Sequence, residues 1–147
     1  MKVTIEQLSK FAEDFLKDLS ESPSNPNHAQ LIGLSGNLGA GKTTFTQQIA
    51  KLLKVEEKIT SPTFVLMKRY PISFGQYKNL IHIDAYRIED PNEIDVLNFD
   101  EIYSEPENLI LLEWPEKVEE KLPKKKITIT FEVAGENHRE INIFKNV

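Results

Sequence analysis

Gly36, Gly41, Lys42 and Thr43 stand at the spacing G-x-x-x-x-G-K-[ST] inside the stretch SGNLGAGKTT, Ser35 to Thr44. That spacing has a physical meaning. Gly36, Gly39 and Gly41 permit tight turns that aim consecutive backbone N–H groups at one anion, with Asn37, Leu38 and Ala40 completing the loop. A helix opening at Lys42 adds the positive end of its dipole to the same spot. Nucleotide contacts are therefore expected along Gly36 to Thr44, with Lys42 reaching the β- and γ-phosphates and Thr43 offering its hydroxyl to Mg²⁺.

A metal–triphosphate also needs a carboxylate at the end of a neighbouring strand, and two qualify. Asp84 ends LIHID and Glu113 ends LILLE. Both should emerge at the C-terminal edge of a sheet, where ligands bind in open α/β folds. Spacing leaves open which acid serves the metal and which acts on attacking water. Thr63 lies in TSPTF, where a proline fixes one dihedral and flanking hydroxyls can bond phosphate, water or metal. Trp114, the single tryptophan, directly follows Glu113. Alternation puts His82 on the same side of its strand as Asp84, where a structural hydrogen bond is the expected role.

These residues need elements to hold them. A short strand is read at Met1 to Val3, and Thr4 with Gln7 forms a T-x-x-Q capping box. Leu8, Phe11, Ala12, Phe15 and Leu16 then follow at helical spacing to about Asp18. LIGLS (residues 31–35) reads as a buried strand, and Lys42 to about Leu53 as a helix burying Phe45, Ile49, Leu52 and Leu53. TFVLMKRY reads as a strand near a sheet edge, SFGQYKN as a turn, and LIHID and LILLE as buried strands. Asp90-Pro91-x-Glu93 starts a helix, and PEKVEEKL forms a short one. KITITFEV and REINIF alternate with period two around AGENH, the pattern of a hairpin. With the phosphate loop, these elements imply a P-loop NTPase-like three-layer α/β fold in a single domain over residues 1–147. Its sheet is mixed, with a parallel core and a C-terminal antiparallel hairpin.

Composition narrows the partners. The net charge is −5, with only three arginines, Arg69, Arg87 and Arg139, so no basic face for nucleic acid is expected. The cluster KLPKKK reads as a solvated loop. Zero cysteines exclude disulfides and thiolate metal sites. No apolar run approaches the roughly 20 residues of a membrane span, and the N-terminal stretch lacks the apolar block of a signal peptide. A cytoplasmic protein is expected.

The uses of a phosphate loop can then be thinned. No N/T-K-x-D motif for reading guanine is present, which favours adenine. Few arginines and no insertion long enough for a lid argue against a nucleotide kinase, which needs guanidinium forks on the transferred phosphate. A compact ATPase serving another protein remains, with a small-molecule kinase or a nucleotide-dependent binding module as alternatives.

G-N-L-G-A-G-K-T-T, S-P-T-F, H-I-D-A-Y-R and L-L-E-W-P-E, in this order and spacing, resemble the bacterial TsaE (YjeE-type) family. The resemblance runs from the first helix through the hairpin. It implies an ATPase, using ATP and Mg²⁺, that is needed to make threonylcarbamoyladenosine beside the anticodon of tRNAs. Such a protein does not transfer the threonylcarbamoyl group itself but keeps a TsaB–TsaD complex turning over, and those partners hold most of the tRNA. The resemblance further implies Thr43 and Glu113 as Mg²⁺ ligands and Asp84 as the catalytic or water-positioning acid. It puts Thr63 near the γ-phosphate and Trp114 at the site, with Glu6 and Arg139 approaching the nucleotide. Family members often carry a glycine ahead of the acidic-aromatic segment that here reads LNFDEIY, so the loop geometry there is not carried over.

Overall fold

Leu31, Ile32 and Leu34, Leu80 to Ile83, and Leu109 to Leu112 are buried on both sides of their strands, as central strands of a parallel sheet require. The computed structural model describes residues 1–22, 25–37, 39–57 and 67–146. Its elements are β1 (Lys2–Thr4), α1 (Leu8–Glu21), β2 (Gln30–Gly36), α2 (Lys42–Leu52), β3 (Met67–Phe74), β4 (Tyr77–Asp84), α3 (Phe99–Tyr103), β5 (Asn108–Glu113), β6 (Lys126–Val133) and β7 (His138–Asn146). The strands form one sheet in the order β1-β7-β6-β2-β5-β4-β3. Strands β6, β2, β5 and β4 run parallel, and β7, β1 and β3 join antiparallel. The expected mixed sheet with a parallel core and terminal hairpin is present.

Residues of alternating parity feed two cores. Ile32, Leu34, Leu80, Leu109 and Leu111 face α1 and α2, while Leu31, Ile81, Ile83, Ile110 and Leu112 meet Ile94, Phe99 and Ile102 on the other side. Phe45 of α2 is fully buried, with ring centroids 5.8 Å from Phe11, 5.9 Å from Phe15 and 5.6 Å from Phe131. This aromatic contact ties α1, α2 and the hairpin together, and each such side chain contributes about 1.5–3 kcal/mol by its burial.

Several elements differ from the sequence reading in instructive ways. The Thr4–Gln7 box forms, with reciprocal bonds of 2.9 and 3.1 Å, but it closes a turn just ahead of a helix that starts at Leu8. That helix runs three residues beyond Asp18, because Leu19 continues the buried stripe. The turn read at SFGQYKN shrinks to Gly75 and Gln76, since Phe74 and Tyr77 belong to paired strands and their rings stack at 6.3 Å. Of TFVLMKRY, residues 67–70 lie in the edge strand β3; residues 63–66 are outside the described residues. Pro71 sits in that edge strand beside a register shift, where a missing N–H costs least.

The helix start at Asp90 is capped by its side chain accepting from Asn92 N–H, but the segment Pro91–Leu97 is a 3₁₀ helix with only Ile94 buried. PEKVEEKL gives two 3₁₀ turns, Pro115–Lys117 and Glu119–Lys121, pinned by the buried Val118 between them. In LNFDEIY, Asn98 takes a left-handed φ of 57°, the conformation asparagine tolerates best after glycine, and leads into α3. Among the described residues, no helix is long and apolar enough to cross a membrane.

Gly36 ends β2 at φ 152°, and a Cβ there would lie 2.4 Å from the carbonyl oxygen of its β6 partner Phe131. Gly36→Ala must therefore move one of two core strands. We expect a loss of about 2–4 kcal/mol in urea unfolding. An unchanged midpoint would show that the Phe131 strand yields freely.

Candidate functional site

Strand β2 delivers the chain to the sheet's C-terminal edge at Gly36, and α2 begins at Lys42. Gly41, at φ 115°, stands at the N-cap of α2 in a conformation closed to ordinary side chains. The buried Ala40 donates its N–H to Asn37 O at 3.1 Å, while Asn37 and Gly39 are exposed; Leu38 lies outside the described residues. Lys42, Thr43 and Thr44 make up the first turn of α2, whose N–H groups lack intrahelical partners. The arrangement fits an anion held by backbone donors at a helix start.

Lys42 is only 4% exposed. Its ammonium donates to the Gly36 carbonyl and sits 3.4 Å from the centroid of the Trp114 ring. Burial pulls its pKa below the ordinary lysine value, opposed by the charges of Glu113, Glu116 and Asp84. Trp114 reaches that place because it adopts a left-handed φ of 62°, rare for so large a residue, and donates its N–H to Leu34 O at 3.1 Å. Tyr86 packs against it, with ring centroids 5.1 Å apart.

The two strand-ending acids are register partners, Asp84 of β4 opposite Glu113 of β5. Their environments differ sharply. Glu113 is 2% exposed; its Oε1 accepts from the Thr43 hydroxyl at 3.1 Å and its Oε2 lies 2.6 Å from His82 Nε2. Asp84 is half-buried and its Oδ1 accepts from Tyr86 N–H at 3.0 Å. Burial raises the Asp84 pKa; the Tyr86 N–H opposes this, the Glu113 charge adds to it, and His82 and Lys42 oppose it. Both strand ends are locked, as Ala85 donates to Glu113 O at 3.0 Å and Trp114 to Leu34 O.

The same geometry bears on a metal. Thr43 and Glu113 present hard oxygen atoms side by side at the start of α2, the donor set that suits Mg²⁺. Among the described residues no cluster of three or more His, Cys, Asp or Glu could hold a metal. Mg²⁺ does not need one, because it draws most of its shell from phosphate and water. The residues fit.

Arg139, on β7, extends over the loop from the far side. Its Nη2 donates to Gly39 O at 3.3 Å and its Nη1 to His138 O at 3.0 Å, while the buried Nε has no partner among the described residues. Glu6 is exposed in the turn before α1, two residues ahead of Leu8, whose Cδ2 lies 4.0 Å from where a Cβ on Gly41 would sit. Thr63 and the rest of SPTF lie outside the described residues. Lys42, Thr43, Glu113 and Trp114 are thus joined by direct contacts. Asp84 stands beside Glu113 and Arg139 touches the loop, whereas no contact joins Glu6 to it among the described residues. Sequence reasoning missed Glu116, which approaches Lys42 electrostatically and accepts from the Ser35 hydroxyl at 3.1 Å. The second acid of E-W-P-E was the available signal.

Residues 3–141 match the family model described as "Threonylcarbamoyl adenosine biosynthesis protein TsaE". A relative from Aquifex aeolicus (strain VF5), named tRNA threonylcarbamoyladenosine biosynthesis protein TsaE, is 36% identical over 149 aligned residues, covering 99% of each chain. A relative of the same name from Haemophilus influenzae is 33% identical, covering 94% of this chain and 84% of its own. Another, from Bacillus subtilis (strain 168), is 40% identical over 76% of this chain, but the match spans only 66% of the relative, just under two thirds. The crystal structure of Bacillus subtilis YdiB superposes with a TM-score of 0.71 at 29% identity, covering all of this chain and 86% of that one.

Proposed function

The chain belongs to the TsaE family, and on that premise we propose that it binds and hydrolyses ATP in support of tRNA threonylcarbamoyladenosine biosynthesis. The observation that carries the hydrolytic reading is the Thr43–Glu113 contact at the mouth of the phosphate loop, with Asp84 alongside.

Backbone N–H groups of the loop and of the α2 start bind the β- and γ-phosphates. Lys42 exchanges its bond to the Gly36 carbonyl for phosphate oxygens. Thr43 and Glu113 would hold Mg²⁺, which would supply positive charge against that of the phosphates. Asp84 keeps one carboxylate oxygen clear of the Tyr86 N–H, and that oxygen orients the attacking water and accepts its proton. Water oxygen bonds to the γ-phosphorus as the bridging bond to ADP breaks. Trp114 and Arg139 flank the site and limit solvent around it.

The client we propose is a TsaB–TsaD complex in the cytoplasm, with tRNA held mainly by those partners, which suits a chain of net charge −5. The test is ATP hydrolysis by the chain alone and with TsaB, TsaD and tRNA. We expect a clear rise with the partners. Rates indifferent to them would remove the client, and γ-phosphate transfer to an acceptor other than water would instead support a kinase.

A further inference from the structure

His82 is fully buried on β4, between Leu80 and Asp84 on the face that meets α1 and α2. Its Nε2 lies 2.6 Å from Glu113 Oε2, whereas its Nδ1 is buried with no hydrogen-bond partner among the described residues. An ionised carboxylate can only accept, so the hydrogen of this contact sits on Nε2. A residue present merely to fill an apolar strand would not leave a nitrogen stranded there, since a buried unpaired polar atom is costly. The fold tolerates that cost for a single contact, the one to Glu113.

That contact has a defined consequence. With Oε1 on the Thr43 hydroxyl and Oε2 on His82, both ends of the Glu113 carboxylate are tethered and its plane is set. Without His82, Oε2 would be an unpaired anionic oxygen in a buried site. The cation available to it is Lys42, whose ammonium already feels Glu113 as its strongest charge partner. Glu113 and Lys42 would then neutralise each other, and both would be withdrawn from a bound metal nucleotide.

We propose that His82 is a positioning residue that holds Glu113 in its Mg²⁺-ready orientation and keeps it off Lys42. The proposal rests on the nucleotide and metal reading above. It is tested by calorimetric titration of the full chain with ADP, in EDTA and across a range of Mg²⁺ concentrations. For His82→Leu, the Mg²⁺ concentration that gives half of the metal-dependent gain in affinity should rise about 10–100-fold, while affinity in EDTA is retained or falls modestly. His82→Gln, which keeps an N–H donor near the Nε2 position, should restore most of the metal dependence. His82→Asn, whose donor falls short of Glu113, should not; this pair carries the test if the leucine variant fails to fold. An unaltered Mg²⁺ response in His82→Leu or His82→Asn would overturn the proposal, as would a glutamine variant no better than asparagine. A parent protein that binds no nucleotide would overturn the functional reading itself, whereas a parent that binds it with no Mg²⁺ dependence would overturn the His82 proposal alone.

Discussion

Asp84→Ala is expected to lower ATP hydrolysis by about 10²–10⁴-fold while leaving nucleotide binding readily measurable, the signature of a residue that acts on the attacking water. The asymmetry of the two acids motivates this. Glu113 has both oxygens engaged, by Thr43 and His82, and is sealed from solvent. Asp84 is half-buried, held through one oxygen by the Tyr86 N–H, and faces the same sheet edge. Burial raises its pKa, which makes its carboxylate a stronger base than an exposed aspartate. Steady-state hydrolysis and calorimetric binding separate the outcomes. Undiminished turnover in the variant would remove Asp84 from the reaction. Loss of binding together with turnover would move it into the nucleotide pocket.

Lys42→Met is expected to weaken nucleotide affinity by about 10–100-fold, the worth of a hydrogen bond to a charged group, and yet to stabilise the nucleotide-free protein. The parent keeps an ammonium 4% exposed at the end of a hydrophobic helix face, and that burial is the main cause of its depressed pKa. The bond to Gly36 O and the Trp114 ring offset part of the cost. Replacing such a group with an apolar chain of similar length removes the desolvation cost of the buried charge, an expected gain of about 1 kcal/mol. In a domain of this size that is a rise in Tm of about 4 °C.

The pH dependence has a definite sign. A depressed lysine pKa means that the penalty is complete below the folded value and vanishes above the unfolded value of 10.5. The advantage of Lys42→Met should therefore be largest at neutral pH and shrink as pH rises through the folded pKa. Urea unfolding of both proteins at neutral and alkaline pH checks this. A variant less stable than its parent at neutral pH would mean that the Gly36 and Trp114 contacts outweigh the burial. Asp84 belongs to the same pattern, since its raised pKa means that its ionised form also costs stability at neutral pH. The site holds two groups charged against their surroundings, as expected where function is placed ahead of stability.

The sequence by itself determined whatever short-range physics controls. Glycine spacing and the helix start dictate the tight loop between β2 and α2, because dihedral freedom and helix-end N–H groups are properties of neighbouring residues. Apolar runs marked β2, β4 and β5 as buried, and period two marked the β6–β7 hairpin. The Thr4–Gln7 box was likewise readable, though not that it would close a turn ahead of the helix. Read from residues alone, Asp84 and Glu113 were interchangeable. Only the tertiary structure paired Thr43 with Glu113, 70 residues away, and Glu113 with His82 across two strands. It also brought Arg139 to Gly39 over a separation of 100 residues and turned Trp114 over Lys42 through a left-handed backbone. Those contacts depend on which strands become neighbours and in what register. Nonlocal packing settles that for the whole sheet at once, and no local stretch of chain contains it.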